Sequence, residues 1–431
     1  MHDHQEQDQT LESLSQDQLD ALVTLHNRFL DGRLGGRRAT LKNTDISGLS
    51  LQGQDLRQAN FMGCLMIGMD LSNANFQEAS LYASDLSNSN LNDARFVRAD
   101  LRGATIENAS LEGADLEKAD LRVGGIADDG AYDSGQAVNF RGANLSGAKL
   151  AGSIASKANF SDAIMTGANM AQADLRGAQM EGADLSDADI DGAQMEGANL
   201  KSAILTGVEV GKIRDTGIDF SDAITDENAG VSVADLDEPL AQLIEEHRSW
   251  VESAGETGKQ LDLSDMDMRS LKTLKMEKLT AIRAVGTKFL GMNLYKIQLQ
   301  SAVLDGSDFR NCDAEEADFR GSSFIGANLS HSVMKNIEAS PLMFGGEGGG
   351  KRFSPCNFEN AKLRYTDLSG AQLKSAVFKG ADLSYADLSG ANLSGVDFTD
   401  ANMTGVNLDG ADTEGATIPQ PDKPVFQMKK D

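Results

Sequence analysis

The sequence is poor in most of what a chain of 431 residues ordinarily uses to build a core or a reactive site. Aromatic residues make up 5%, with a single tryptophan, Trp250, so the interior must be tiled by leucine, phenylalanine and alanine. There are three cysteines, Cys64, Cys312 and Cys356, and five histidines, at 2, 4, 26, 247 and 331, with no HExxH among them. No nucleophile has an evident base, and the carboxylates are spread along the chain. The reading is of no enzyme, no cofactor and no metal site. No stretch is apolar for long enough to span a bilayer, and Met1-His2-Asp3-His4-Gln5-Glu6 has neither the basic start nor the apolar run of a signal peptide, so a cytoplasmic protein is expected. Positive charge is short too: 39 Lys and Arg against 66 Asp and Glu leave a net charge of −27. That balance repels nucleic acid and favours a basic-surfaced protein partner.

What the sequence has is a period of five. Leu81, Leu86, Leu91, Phe96, Leu101, Ile106, Leu111, Leu116 and Leu121 recur at every fifth position, each with Ala or Ser two residues before it. The cysteines occupy this small-residue slot ahead of Met66, Ala314 and Phe358, and read as buried fillers. The period matches neither the 3.6 of a helix nor the 2 of a plain strand, so each unit can bury its apolar centre only by stacking on others.

Units such as Ala114-Asp115-Leu116-Glu117-Lys118 and Ala381-Asp382-Leu383-Ser384-Tyr385 resemble the pentapeptide repeat proteins, over roughly four fifths of the chain. The resemblance implies an all-β solenoid: a right-handed quadrilateral β-helix, with four pentapeptides per coil and the centre and its preceding small residue inward. Two short amphipathic α-helices, N-terminal and mid-chain, would serve as caps, because the ends of a stack expose its core.

Taken in order, residues 1–40 hold an irregular start and a helix opened by the capping-box pair Ser15 and Gln18 and stopped at Gly32, with the stripe Leu19, Leu22, Val23, His26, Phe29, Leu30. Residues 41–226 form the first solenoid, with centres from Leu41 through Ile126 and an Asp- and Gly-rich loop at 127–136. Residues 227–262 are an acidic linker and a second helix, whose stripe Leu240, Leu243, Ile244, His247, Trp250, Val251 lies 221 residues after the first, as expected of an internal duplication. Residues 263–418 form the second solenoid, with a six-residue step between Met268 and Leu274 and a loop at 335–355 that mirrors the first. A tail follows at 419–431. Stacking at twenty residues predicts an amide column of Asn139, Asn159, Gln179, Asn199 and Asp219 able to bond along the axis.

Three groups are candidate interaction sites. Met62, Leu65, Ile67 and Tyr82 fill outward slots near one another, either as an apolar contact patch or as a local distortion that turns them inward. Asp305, Asp308, Asp313, Glu315, Glu316 and Asp318 form the densest acidic run on the repeats, offered to a basic groove or simply solvated. Gly345 to Lys351 satisfies GxxxxGK, but Arg352 replaces the required Ser or Thr and Pro355 follows, so no phosphate-binding helix can begin there. The reading is a loop tip whose Lys351 and Arg352 touch a partner.

The function these features point to is a non-enzymatic protein–protein interaction scaffold on a rigid acidic β-helix. The alternative is a DNA mimic binding a type II topoisomerase, gyrase or topoisomerase IV, as the resemblance allows. Spread over roughly 16 coils of about 4.8 Å, the charge reaches one per about 2.8 Å, against about 1.7 Å for B-DNA. The helix by which such relatives dimerise has no counterpart after Ile418, where prolines at 419, 421 and 424 forbid it.

Overall fold

The computed structural model describes residues 11–124, 135–212, 217–344 and 352–419. Each pentapeptide obeys one local rule, seen around Leu116. The Asp115 carboxylate accepts the Glu117 N–H at 3.2 Å, an Asx turn that explains why Asp or Asn recurs before the centre. Lys118 is left-handed at φ 56°, and Ala119 N–H closes the turn on Leu116 C=O at 3.0 Å. That left-handed slot is filled by Gly, Asn, Asp and a range of other residues unbranched at Cβ; no Val, Ile or Thr takes it among the described residues, since branching at Cβ makes it too costly.

Between turns the backbone bonds to its neighbours in the stack. Leu116 N–H reaches Lys149 C=O at 2.7 Å, and Asp115 N–H reaches Ala94 C=O at 2.9 Å. In the first unit four parallel ladders result, starting at Thr40, Asp45, Ser50 and Asp55 and at first pairing residues twenty apart. Centres and their preceding small residues are buried almost without exception, and phenylalanines in register stack, as Phe76 on Phe96 at 5.1 Å. Where Ser or Thr replaces Ala in the small slot, its hydroxyl in most cases donates to a buried carbonyl, as Ser89 to Met66 at 2.8 Å and Thr366 to Leu329 at 2.9 Å; Ser153 is an exception without a partner among the described residues. A hydroxyl so bonded is buried at no net loss of hydrogen bonding.

The chain divides into two units, 1–228 and 229–431. The core of the first runs from Leu19 to Ala223, and that of the second from Val233 to Ala401. Each unit opens on a helix. In the first, α1 spans Gln16–Leu30 with the full capping box of Ser15 and Gln18, and it buries Leu19, Val23 and His26. In the second, α2 spans Leu240–Glu252 and buries Ile244 and His247. The stretch expected as an acidic linker is more than that: Val231–Ser232 pairs in parallel with Met266–Asp267, as Glu12–Ser13 pairs with Thr44–Asp45 in the first unit. The duplication therefore includes a strand ahead of each helix, too short to show a sequence period.

The two buried histidines fasten each helix to the repeats. His26 Nδ1 accepts the Ala39 N–H at 3.0 Å, and His247 Nδ1 accepts that of Leu261 at 3.1 Å. His247 Nε2 donates to Thr280 C=O at 2.9 Å, while His26 Nε2 faces the Arg57 carbonyl without meeting hydrogen-bond geometry. An accepting Nδ1 requires neutral imidazole, and burial lowers both pKa values below 6.5. In the unfolded chain each histidine takes up its proton near pH 6.5, before the folded one does. Stability is thus fully present above that pH and is lost as pH falls below it, by up to about 1.4 kcal/mol per pH unit for each histidine. A His26→Gln, His247→Gln double variant should be less stable at pH 8 and flatter in its acid dependence. Thermal melts across this range decide; an unchanged slope would remove the histidines as its cause.

Both excursions prove to be insertions of the same size. Thr105 pairs with Asn139 and Ser323 with Asn357, offsets of 34 where 20 is the rule, so each coil carries fourteen extra residues (34 − 20). In the first, Leu121 is the last repeat centre among the described residues, and Gly124 pairs antiparallel with Gln136. Ile126 and most of the 127–136 loop lie outside the described residues. The second leaves as an antiparallel hairpin of Leu342–Phe344 and Arg352–Ser354. The mirror relation is inexact. Counting five-residue sides from the histidine-bound amide, the first excursion follows the seventeenth side (Thr40 to Asp120), and the second follows the sixteenth (Asp262 to Glu338). The six-residue step is a one-residue bulge built as a 3₁₀ turn, Arg269–Leu271, ended by left-handed Lys272. Near the end of the first solenoid, Val208 and Val210 are buried in its core outside the ladders.

Candidate functional site

The repeats fix most outward side chains in place, so a site has to be sought where a segment leaves them. The 342–354 hairpin does so with two prolines, Pro341 and Pro355, at its base. Met343 pairs directly across from Phe353, and the two are 54% and 65% exposed, side by side on one hairpin. Together with Ser340, Pro341, Pro355, Lys374 and Ser375 they line a groove of about 420 Å³. Its walls are apolar and its rim carries one ammonium, a surface suited to an apolar side chain with a carboxylate near it. Sequence reasoning settled on the basic tip and passed over Met343 and Phe353. The signal was present as apolar pairs bracketed by two prolines and separated by glycines. Arg352 joins the hairpin through its backbone, and Lys351 and the GxxxxGK glycines lie outside the described residues.

The other candidates are placed as follows. Met62, Leu65, Ile67 and Tyr82 all keep outward slots and are half-buried. Met62 and Tyr82 share one stack, closed by the Arg102 guanidinium 5.3 Å from the Tyr82 ring centre. Leu65 sits on the ladder between Asp45 and Asp85, on the neighbouring side. The structure thus divides the four between two sides, and covers the phenol ring with a cation.

In the acidic run most members are already engaged. Asp308 is buried in a two-pronged pair with Arg310. Asp318 pairs with Arg320 at 2.7 Å, and Glu316 with Lys296 at 3.0 Å and the Tyr295 hydroxyl at 3.1 Å. Asp305 accepts from Ser323 and from Ile325 N–H. Asp313 and Glu315 remain without an ion pair among the described residues. The predicted amide column forms in register, but only in part: Asn159 donates to Asn139 at 3.1 Å and Asn199 to Gln179 at 3.3 Å, while Gln179 turns its own amide to Gly177 C=O.

The three cysteines are free and buried, and burial pushes each thiol up, away from the reactive thiolate. Among the described residues no group of acidic, histidine or cysteine side chains could hold a metal ion, and no helix is long and apolar enough to cross a membrane.

Comparison with known proteins gives a consistent picture. The family model described as "Pentapeptide repeats" matches in eight copies, over residues 55–93, 84–122, 136–170, 168–207, 286–336, 352–380 and 376–415. Among solved structures the chain is similar to trypsin-treated QnrB1, a plasmid-mediated fluoroquinolone resistance protein. Identity there is 20% over 44% of this chain and 92% of that one, at TM-score 0.28. It is similar also to HetL, a pentapeptide repeat protein involved in heterocyst differentiation regulation from the cyanobacterium Nostoc, at 18% identity over 91% and 94%, TM-score 0.13. A third is a pentapeptide repeat protein of the Arabidopsis thaliana thylakoid lumen, at 29% identity over 33% and 68%, TM-score 0.14. None of the curated proteins matches the chain.

Proposed function

We propose, from the premise that this chain belongs to the pentapeptide repeat family, that it is a non-enzymatic interaction scaffold, which takes a protein partner in the groove of the 342–354 hairpin. The observation that carries the reading is the exposed Met343–Phe353 pair, held over the groove on a rigid base. Exposed apolar pairs of this kind are costly unless something covers them. The family implies a right-handed quadrilateral β-helix, and the proposal takes it as two segments, 41–226 and 263–418, each opened by a capping helix. Lys351 and Arg352 belong to the proposed partner surface. Asp313 and Glu315, and the Met62, Leu65, Ile67 and Tyr82 slots, are secondary contacts.

A second reading, imitation of duplex DNA toward a type II topoisomerase, has one observation in its favour. Residues 380–418 carry seven carboxylates and no lysine or arginine. Elsewhere Asp-x-Arg forks at 55/57, 174/176 and 318/320 neutralise the surface locally, which weakens a continuous imitation of phosphate charge.

One capture experiment separates the two. The full chain and a Met343→Asp, Phe353→Asp variant are used as baits in a bacterial lysate at low and high salt. The scaffold reading expects a partner that survives high salt with the parent and is lost from the variant by at least about tenfold, as for removal of an apolar hot spot. Retention by the variant would remove the groove. Capture of gyrase or topoisomerase IV subunits, lost at high salt and indifferent to the variant, would favour DNA mimicry.

A further inference from the structure

The second unit opens on a helix, but its other face stands open. In coils away from this end Leu383, Leu388, Leu393 and Phe398 are wholly buried; one coil on, Met403, Val406, Leu408, Ala411 and Ala416 are only half-buried, and Ile418 is 40% exposed. The backbone is open as well. Leu383 N–H donates to Asn402 C=O at 2.9 Å and Leu388 to Asn407 at 2.8 Å, whereas the matching donors on Met403 and Leu408 have no acceptor among the described residues. An apolar face with a free strand edge invites a further strand. The charge around it restricts which one. Asp397, Asp400, Asp409, Asp412 and Glu414 surround it, with no basic residue between 380 and 418. A second copy docking end to end would set like charges against each other, so this surface asks for a strand that is apolar and basic.

We propose that residues 423–430 of the same chain supply it. They read Lys423-Pro424-Val425-Phe426-Gln427-Met428-Lys429-Lys430, with three lysines and no acid, and they begin four residues past Pro419 on the last coil. Four residues reach about 13 Å when extended, enough to return across one coil end. In a strand, Phe426, Met428 and Lys430 fall on one face. Phe426 and Met428 lie on Met403, Leu408 and Ile418; Lys429 and Lys430 meet Asp409, Asp412 and Glu414; the backbone takes up the open amides. The segment closes the end that α2 leaves uncovered at the opposite side of the unit.

Hydrogen exchange of the Met403 and Leu408 amides tests this, comparing the full chain, a chain ending at Pro419 and a full-length Phe426→Asp, Met428→Asp variant. The amides of Leu363 and Leu368 serve as internal controls for folding. The expected result is protection in the full chain that falls about tenfold or more in both altered chains, with the controls unchanged and the mass monomeric by light scattering. Equal exchange in all three chains would overturn the proposal. So would protection that rises with protein concentration alongside a doubled mass, since a second copy would then be the occupant.

Discussion

Phe358→Ala is expected to destabilise the second unit by about 3–5 kcal/mol. The Phe358 ring stacks at 5.0 Å on Phe324 and at 4.7 Å on Phe378, both within 9° of parallel, and Phe378 continues the column to Phe398 at 5.4 Å. In a stacked array each layer is packed only by its two neighbours, and those neighbours are held by backbone ladders at fixed spacing. A cavity at Phe358 therefore cannot collapse, and its cost belongs at the upper end of the range. Phe358→Leu, which keeps most of the volume, should cost less than about 1.5 kcal/mol. Denaturant unfolding, followed by far-UV dichroism and by Trp250 in α2, measures both. A loss below about 1 kcal/mol for the alanine variant would mean that the coils can close over the gap, and that the ladders are not rigid.

The second large effect belongs to Asp308. Its carboxylate takes Arg310 Nε at 2.9 Å and Nη2 at 2.6 Å, and the Arg310 backbone N–H at 3.1 Å. The same fork stands at Asp174–Arg176, but there the arginine side chain is 56% exposed, whereas the Arg310 and Asp308 side chains are 5% and 7% exposed. The difference comes from the stack: Leu290 and Ser330, twenty residues to either side in the same slot, are themselves buried. Asp308→Asn removes the carboxylate of this buried fork, for an expected loss of about 3–5 kcal/mol. Asp174→Asn should cost no more than about 1 kcal/mol. The double change Asp308→Leu, Arg310→Met should recover most of the loss, because the desolvation of both charges disappears with them. If the two Asn variants melt alike, the burial of Arg310 has no energetic consequence.

Much of this was legible in the sequence because the repeat is a local code. The Asx turn needs Asp or Asn at one position, the turn needs a residue that tolerates positive φ three positions later, and the core needs an apolar side chain between them; each requirement is met within five residues. Ser15, Gln18 and Gly32 likewise announced α1 by capping chemistry alone. The interaction surface was less legible. The acidic run from Asp305 to Asp318 looks uniform as text, yet Arg310, Lys296 and Arg320 remove much of its charge, two of them from two residues away and one from an adjacent coil. Met343 and Phe353 lie ten residues apart, and become one feature only when the hairpin pairs them.

The sequence by itself determined the pentapeptide unit, the inward face, the two helices and the places where the repeat breaks, since each depends on chemistry between near neighbours. Only the tertiary structure decided what lies twenty residues, or thirty-four, away. It established that both excursions insert fourteen residues and that a strand precedes each helix; it also set which forks are buried and which side chains stand exposed at Met343 and Phe353. The physical reason is that burial and pairing on a stacked surface are settled by the coil above and the coil below, and a five-residue code carries no information about either.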